Sequence, residues 1–306
     1  MNRPKFPLQM RVFVRDWLSA NNVVLKGGDG NVIIDTSYVR HAPLTLALVA
    51  SRQGVDGGGL AKIVNTHCHS DHMGGNAALK RAYGCPIAVP EGEAPLVACW
   101  DTKALLLDYA DQSADRFDVD ETLRADTAYV WGDLEWRALA APGHDMRALV
   151  FYNPEHRILI SGDALWENGY GLVMPEEMDS AALPATRATL EMLATLDVRI
   201  VIPGHGEPFT EFAPAVERAL KRTAAFEADP TRLARHALNV VLMFALLDRQ
   251  RLSLAELPAY VDRVEIYREF NARFFREPPN KLASWLVNAL ETVGAVRRDE
   301  GFLVPG

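Results

Sequence analysis

Cysteine is scarce in this 306-residue chain: Cys68, Cys85 and Cys99 are the only three, and no two form a CxxC pair. That excludes a disulfide framework and a cysteine-rich zinc site. Long apolar runs are missing too. No segment approaches the roughly 20 residues needed to cross a bilayer. The start, MNRPKFPLQM, lacks the apolar stretch of a secretion signal. A cytoplasmic location with no membrane contact is the expectation. Positive charge is not in excess either. The formal net charge is −8, which argues against nucleic acid or an anionic membrane as the main partner. Neither internal repeats nor low-complexity segments occur.

What is present is an ordinary globular composition, 49% apolar and 24% charged. The length suits one large domain, or a domain of about 200 residues with a smaller one attached. Residues 1–212 alternate β-rich runs (10–14, 22–26, 31–35, 62–66, 86–89, 128–131, 134–140, 148–152, 157–161, 199–202) with helical stretches at 42–53, 75–83 and 180–196. Gly27-Gly28-Asp29-Gly30 reads as a hairpin turn. Leu183, Leu190, Leu193 and Leu196 form a core-facing stripe. This pattern predicts an α/β layered sandwich.

After Pro208 the character changes. Residues 213–228, 231–249, 253–263, 265–276 and 280–293 read as helices, and 295–304 as a hairpin turning at Asp299–Gly301. A domain boundary is expected near 210–215, giving units 1–212 and 213–306. The second unit carries 14 Lys/Arg against 12 Asp/Glu, a net of +2, which leaves −10 on the first.

The chemistry concentrates in 66–76, THCHSDHMGGN, which follows an apolar β-run and precedes a helix. Four donors, His67, His69, Asp71 and His72, crowd one strand-to-helix loop, and imidazole nitrogen with carboxylate oxygen suits zinc and related divalent ions. Alternation along an extended backbone sends His67 and His69 one way and Cys68 the other, so Cys68 reads as a packed thiol. Three further motifs stand at strand ends: Ala141-Pro142-Gly143-His144, Ser161-Gly162-Asp163 and Pro203-Gly204-His205-Gly206. In each, glycine or proline stops a strand and presents a single His or Asp. Five of the eight histidines fall in these motifs. His41, His156 and His236 read as surface or satisfied histidines.

This set resembles the metallo-β-lactamase superfamily, whose signature is HxHxDH followed by separate His, Asp and His motifs. The resemblance covers about residues 10–210. It implies a four-layer αββα sandwich with two divalent metals at one edge between the sheets, zinc first, though iron and manganese suit the same donors. By the same resemblance, His67, His69 and His144 hold one metal, Asp71, His72 and His205 the other, and Asp163 bridges them. Such a pair, about 3.5–4 Å apart, makes a hydroxide nucleophile from a shared water, with Asp71 orienting it as well as binding metal. Asp35, ending VIID, matches the family's strand-end aspartate that supports the site, or it simply forms a turn before Thr36-Ser37.

The superfamily's zinc β-lactamases usually carry cysteine or serine where this chain has Asp163. A bridging aspartate resembles glyoxalase II, the acyl-homoserine lactonases, and metal-dependent ribonucleases and phosphodiesterases. The expected activity is therefore hydrolysis of a carboxylic ester, thioester or lactone, a small-molecule substrate. The di-iron oxidoreductase variant normally works with a flavin domain, and none fits after Pro208. The tail resembles a winged-helix module in its order of elements. This raises the alternative of a metal-dependent endoribonuclease or phosphodiesterase acting on single-stranded RNA. The tail's small net charge and its apolar residues (Val240, Val241, Leu242, Phe244, Leu246, Leu247) favour packing over the active site or a homodimer interface instead. Two readings of Trp166-Glu167-Asn168-Gly169-Tyr170-Gly171 stay open. Its aromatics line a substrate pocket, with Tyr170 hydrogen-bonding a substrate carbonyl as a lactonase tyrosine does, or they pack beneath the C-terminal helices.

Overall fold

The structure, a computed structural model, describes residues 4–175 and 178–306. Six strands, β1 (Met10–Phe13), β2 (Asn22–Leu25), β3 (Asn31–Ile34), β4 (Leu60–Val64), β5 (Ile87–Pro90) and β6 (Glu121–Leu123), form one sheet in sequence order. It is antiparallel across β1–β3 and parallel from β3 to β6. A second sheet has the order β11 (Ile200–Pro203), β10 (Ile158–Gly162), β9 (Leu149–Asn153), β8 (Leu134–Ala140), β7 (Thr127–Trp131). Only its β10–β11 pair is parallel.

Period-two alternation sorts the strand side chains into layers. Val23, Leu25, Val32 and Ile34 face Phe151, Ile158, Ile160 and Ile202 in a core between the sheets. The intervening Val24 and Ile33 face outward onto a second apolar layer, which includes Val49 of helix α1 (Ala42–Ala50). On the other side Val150, Tyr152, Leu159 and Val201 face outward against a further layer. The helices in chain order are α2 (Ser70–Met73), α3 (Asn76–Tyr83), α4 (Ala94–Cys99), α5 (Leu107–Ala110), α6 (Ala182–Leu193) and α7 (Phe212–Ala228). Helix α3 adds Leu79 to the first outer layer, while α6 and α7 pack together on the second. Both strand faces are buried, so the runs read as continuously apolar. This is the αββα sandwich expected. The sequence reading missed α4, α5 and β6, which are too short to show a period.

The tail continues with α8 (Pro230–Arg249), strand β12 (Leu252–Ser253), α9 (Leu257–Arg263), α10 (Glu265–Phe270), a π-helical turn at Asn271–Phe275, α11 (Pro279–Thr292), β13 (Val296–Asp299) and β14 (Phe302–Pro305). Asp229 caps α8 by accepting the Arg232 N–H at 3.0 Å, with Pro230 in the first turn. The three strands pair in the order β12–β14–β13. Helix, strand, further helices and a two-stranded wing follow the expected winged-helix order, with three helices (α9, α10 and α11) between strand β12 and the wing. Helix α7 packs with the second sheet's outer layer through Phe212, Ala215 and Val216, and the apolar core of the tail takes in α8 from Ala234 onward together with Tyr109 and Ala110. Among the described residues no helix is long and apolar enough to cross a membrane.

Candidate metal centre

Each ligand motif sits where a strand stops. Strand β4 delivers His67 and His69 ahead of α2, which carries Asp71 and His72; β8 leads to His144, β10 to Asp163 and β11 to His205. All seven side chains are buried or nearly so. Their donor atoms form two groups, His67–His69–His144 and Asp71–His72–Asp163–His205, with the atoms in each group within 4.8 Å of one another. His144 Nε2 lies 2.8 Å from His69 Nδ1 and 3.4 Å from Asp163 Oδ2. Asp163 Oδ1 lies 3.4 Å from His72 Nε2. Asp163 therefore touches both groups. Only glycine fits at position 204, where a Cβ would fall 2.1 Å from Asp163 Oδ1.

The outward ring nitrogens fix which inward nitrogen is free. His72 Nδ1 meets Asp35 Oδ2 at 2.8 Å, and His67 Nδ1 meets Thr66 Oγ1 at 3.1 Å. His144 Nδ1 meets the Leu172 carbonyl, and His69 Nε2 faces Asp145 Oδ2 at 3.7 Å. His67 Nε2 and His72 Nε2 are left buried with no hydrogen-bond partner. Buried polar atoms are seldom orphaned without a purpose, and these two point at the positions a metal would take. Electrostatics agree. Burial alone would depress His72, but Asp35, Asp163 and Asp71 outweigh it and raise its pKa well above the usual imidazole value. Asp163, despite burial, is held well below the usual carboxylate range by His205 and His72. His69 moves the other way, lowered to about 4 by burial and by His144. A group of three imidazoles beside a group with two carboxylates suits two divalent cations.

Asp35 is both things the sequence allowed. Its backbone takes a turn conformation at φ 56°, and its carboxylate accepts from Thr66 N–H and Thr66 Oγ1, each at 2.9 Å, as well as from His72. Cys68 is buried in the outer apolar layer, as expected. His41 bonds Ser19 and His236 bonds Arg222. Of the two readings of Tyr170, the geometry favours packing beneath the C-terminal helices. Its phenol is buried against α7, 2.9 Å from Thr223 Oγ1, with Arg222 over the ring. It does not line the cleft above the metal ligands. Trp166 does, and its indole N–H donates to Asp163 Oδ1 at 3.1 Å.

That cleft has His69, Asp71, His144 and Asp163 at its floor. Helix α8 supplies Val240, Val241 and Phe244 to its wall. Trp17 adds to an aromatic collar, stacked on His205 with ring centroids 5.7 Å apart. The sequence reading missed several contributors. Asp145 directly follows a ligand, and that adjacency was a usable signal. Glu93 carried none. It is buried beside Asp145, and burial and that neighbour raise its pKa well above the usual carboxyl value.

A family model of the metallo-beta-lactamase superfamily matches residues 15–205, the span that carries all seven donors. The chain belongs to this superfamily. A hydroxyacylglutathione hydrolase from Bdellovibrio bacteriovorus is 28% identical over 112 residues, 37% of each chain. The chain thus matches little more than a third of the length of such curated relatives. A metallo-beta-lactamase family protein from Thermus thermophilus shares the fold over 97% of this chain and 99% of its own, with TM-score 0.60 and 20% identity. A beta-lactamase domain protein from Burkholderia ambifaria does so over 99% and 94%, with TM-score 0.60 and 19% identity. In both, the shared fold extends through the C-terminal region of this superfamily member.

Proposed function

We propose that the protein hydrolyses a carboxylic ester, thioester or lactone, using two divalent ions held by His67, His69 and His144 on one side and Asp71, His72 and His205 on the other, with Asp163 between them. The observation that carries this reading is the convergence of seven donors in two adjoining groups, four of them at the floor of one cleft, with His67 Nε2 and His72 Nε2 buried and without a hydrogen-bond partner. When bound, such ions lower the pKa of a shared water toward neutrality and polarise the bond to be cleaved. Zinc is the first choice, and iron or manganese suits the same donors.

The chain's own groups do the rest. Asp71, held 2.9 Å from His205 Nε2, stands at the cleft floor, where it orients the attacking water and takes its proton. Water adds to the carbonyl carbon, the C–O or C–S bond to the leaving group breaks, and the proton passes to the departing alcohol or thiol. Trp166 fixes the Asp163 carboxylate and, with Phe244, keeps bulk water from the floor. The alternative of a single-stranded RNA substrate is disfavoured, because no Lys or Arg lines the cleft among the described residues. Offering single-stranded RNA, an acyl thioester and a lactone to one metal-loaded sample tests the reading. Turnover of the thioester or lactone but not RNA supports it; turnover of RNA alone overturns it.

A further inference from the structure

The cleft says more about the substrate than the metal ligands do. Above the ligand floor its walls come from three separate segments, and each offers apolar groups. Leu105, Leu106 and Ala110 form one wall, Leu172 stands beside the bridging aspartate, and α8 closes the other side with Val240, Val241 and Phe244. Polar side chains above the floor are few, and two of their groups already have partners. Ser70 Oγ donates to Gln112 Oε1 at 3.0 Å, and the Trp166 N–H is taken by Asp163. Beyond the metal ligands, no charged side chain lines the cleft among the described residues. A substrate with charges on its acyl side would lose hydration and find no counter-charge. An apolar acyl group would lose nothing.

The two opposing walls are also tied into one unit. Asp111, at the end of α5, accepts from Arg249 at the end of α8 and from Tyr260 Oη of α9, the latter at 2.9 Å. Tyr109 Oη donates to Glu269 Oε2 of α10 at 2.9 Å. The tail therefore fixes the width of the cleft rather than resting loosely over it.

We infer that the substrate carries an apolar acyl group, seated between the 105–110 segment and α8, so that the tail selects the acyl group. The inference rests on the hydrolytic reading above and names the substrate class of that same site. Each methylene moved from water into such a wall favours binding by about fourfold.

Two measurements on the full-length, metal-loaded chain test this. The first is kcat/KM for acyl thioesters from two to ten carbons, for the wild type and for Val240→Asp. The inference expects a rise of about fourfold per methylene over the first several carbons, then a plateau. In Val240→Asp the octanoyl-to-acetyl ratio should fall at least tenfold. The second is calorimetric binding of octanoate and of acetate, which needs no turnover, to the wild type and to Phe244→Ala. Octanoate should bind at least tenfold tighter than acetate, and Phe244→Ala should narrow that gap. If short and long thioesters turn over equally and octanoate binds no tighter than acetate, the acyl-chain inference fails while hydrolysis stands. If no thioester turns over yet octanoate binds tightly and depends on Phe244, the cleft assignment holds and the reaction is wrong. A circular-dichroism melt confirms that each variant is folded before it is scored.

Discussion

Asp35 and His72 are joined at 2.8 Å by a fully buried contact between a strand end and the short helix that follows the next strand. The pairing orients the imidazole, because Asp35 engages Nδ1 and leaves Nε2 directed at Asp163. A carboxylate behind a ligating histidine sets both ring orientation and basicity. Asp35→Asn keeps the side-chain shape, and asparagine accepts the left-handed backbone found at this position. The expected result is a loss of about 10–100-fold in affinity for one of two metal equivalents. Equilibrium dialysis with metal analysis reads it directly.

Tyr170 gives the opposite kind of prediction. Its hydroxyl bonds Thr223, whose own hydroxyl also donates to the Ala219 carbonyl at 3.0 Å. Tyr170→Phe should leave kcat and KM unchanged within twofold. It should lower stability by about 1 kcal/mol, the net worth of one buried hydrogen bond. Denaturant melts and steady-state kinetics on the same preparation check both halves.

His236 sets a pH dependence separable from the metal ligands. Burial, and then the neighbouring Arg222 and Arg232, lower its pKa from 6.5 to about 4. The folded state therefore keeps it neutral, while the unfolded chain binds a proton below about pH 6.5. Stability from this group is fully present above pH 6.5 and is lost as pH falls toward 4, by about 2–3 kcal/mol. His236→Gln keeps an acceptor for Arg222 and removes the titration. The difference in unfolding free energy between wild type and variant should shrink from pH 7 to pH 4. A difference that stays constant over that range contradicts the assignment.

The candidate metal ligands were legible because glycine and proline stop strands at the positions where single donors follow. Gly143-His144, Gly162-Asp163 and Gly204-His205 are punctuation marks visible in one dimension. The layers were legible for a similar reason, since Val23, Val24 and Leu25 alternate between two cores but are all apolar. What could not be read was the direction of side chains set by distant packing. Tyr170 turns toward Thr223, 53 residues away. Trp166, four residues earlier, turns to the bridging aspartate instead. Phe244 sits in an apolar helix whose pattern does not say which residues face the tail core and which face the cleft. Of the tail's apolar residues, Leu242 and Leu246 lie in the core and Val240 and Phe244 at the cleft.

The central claim is that the two buried donor groups hold two divalent ions on which hydrolysis depends. It is tested most directly by stripping the purified protein with a chelator, then adding back zinc, iron or manganese in measured equivalents while following metal content and thioester hydrolysis together. The account predicts that activity vanishes on removal and returns in step with uptake, saturating at two ions per chain. Full activity in a sample holding less than about a tenth of an ion per chain would contradict it.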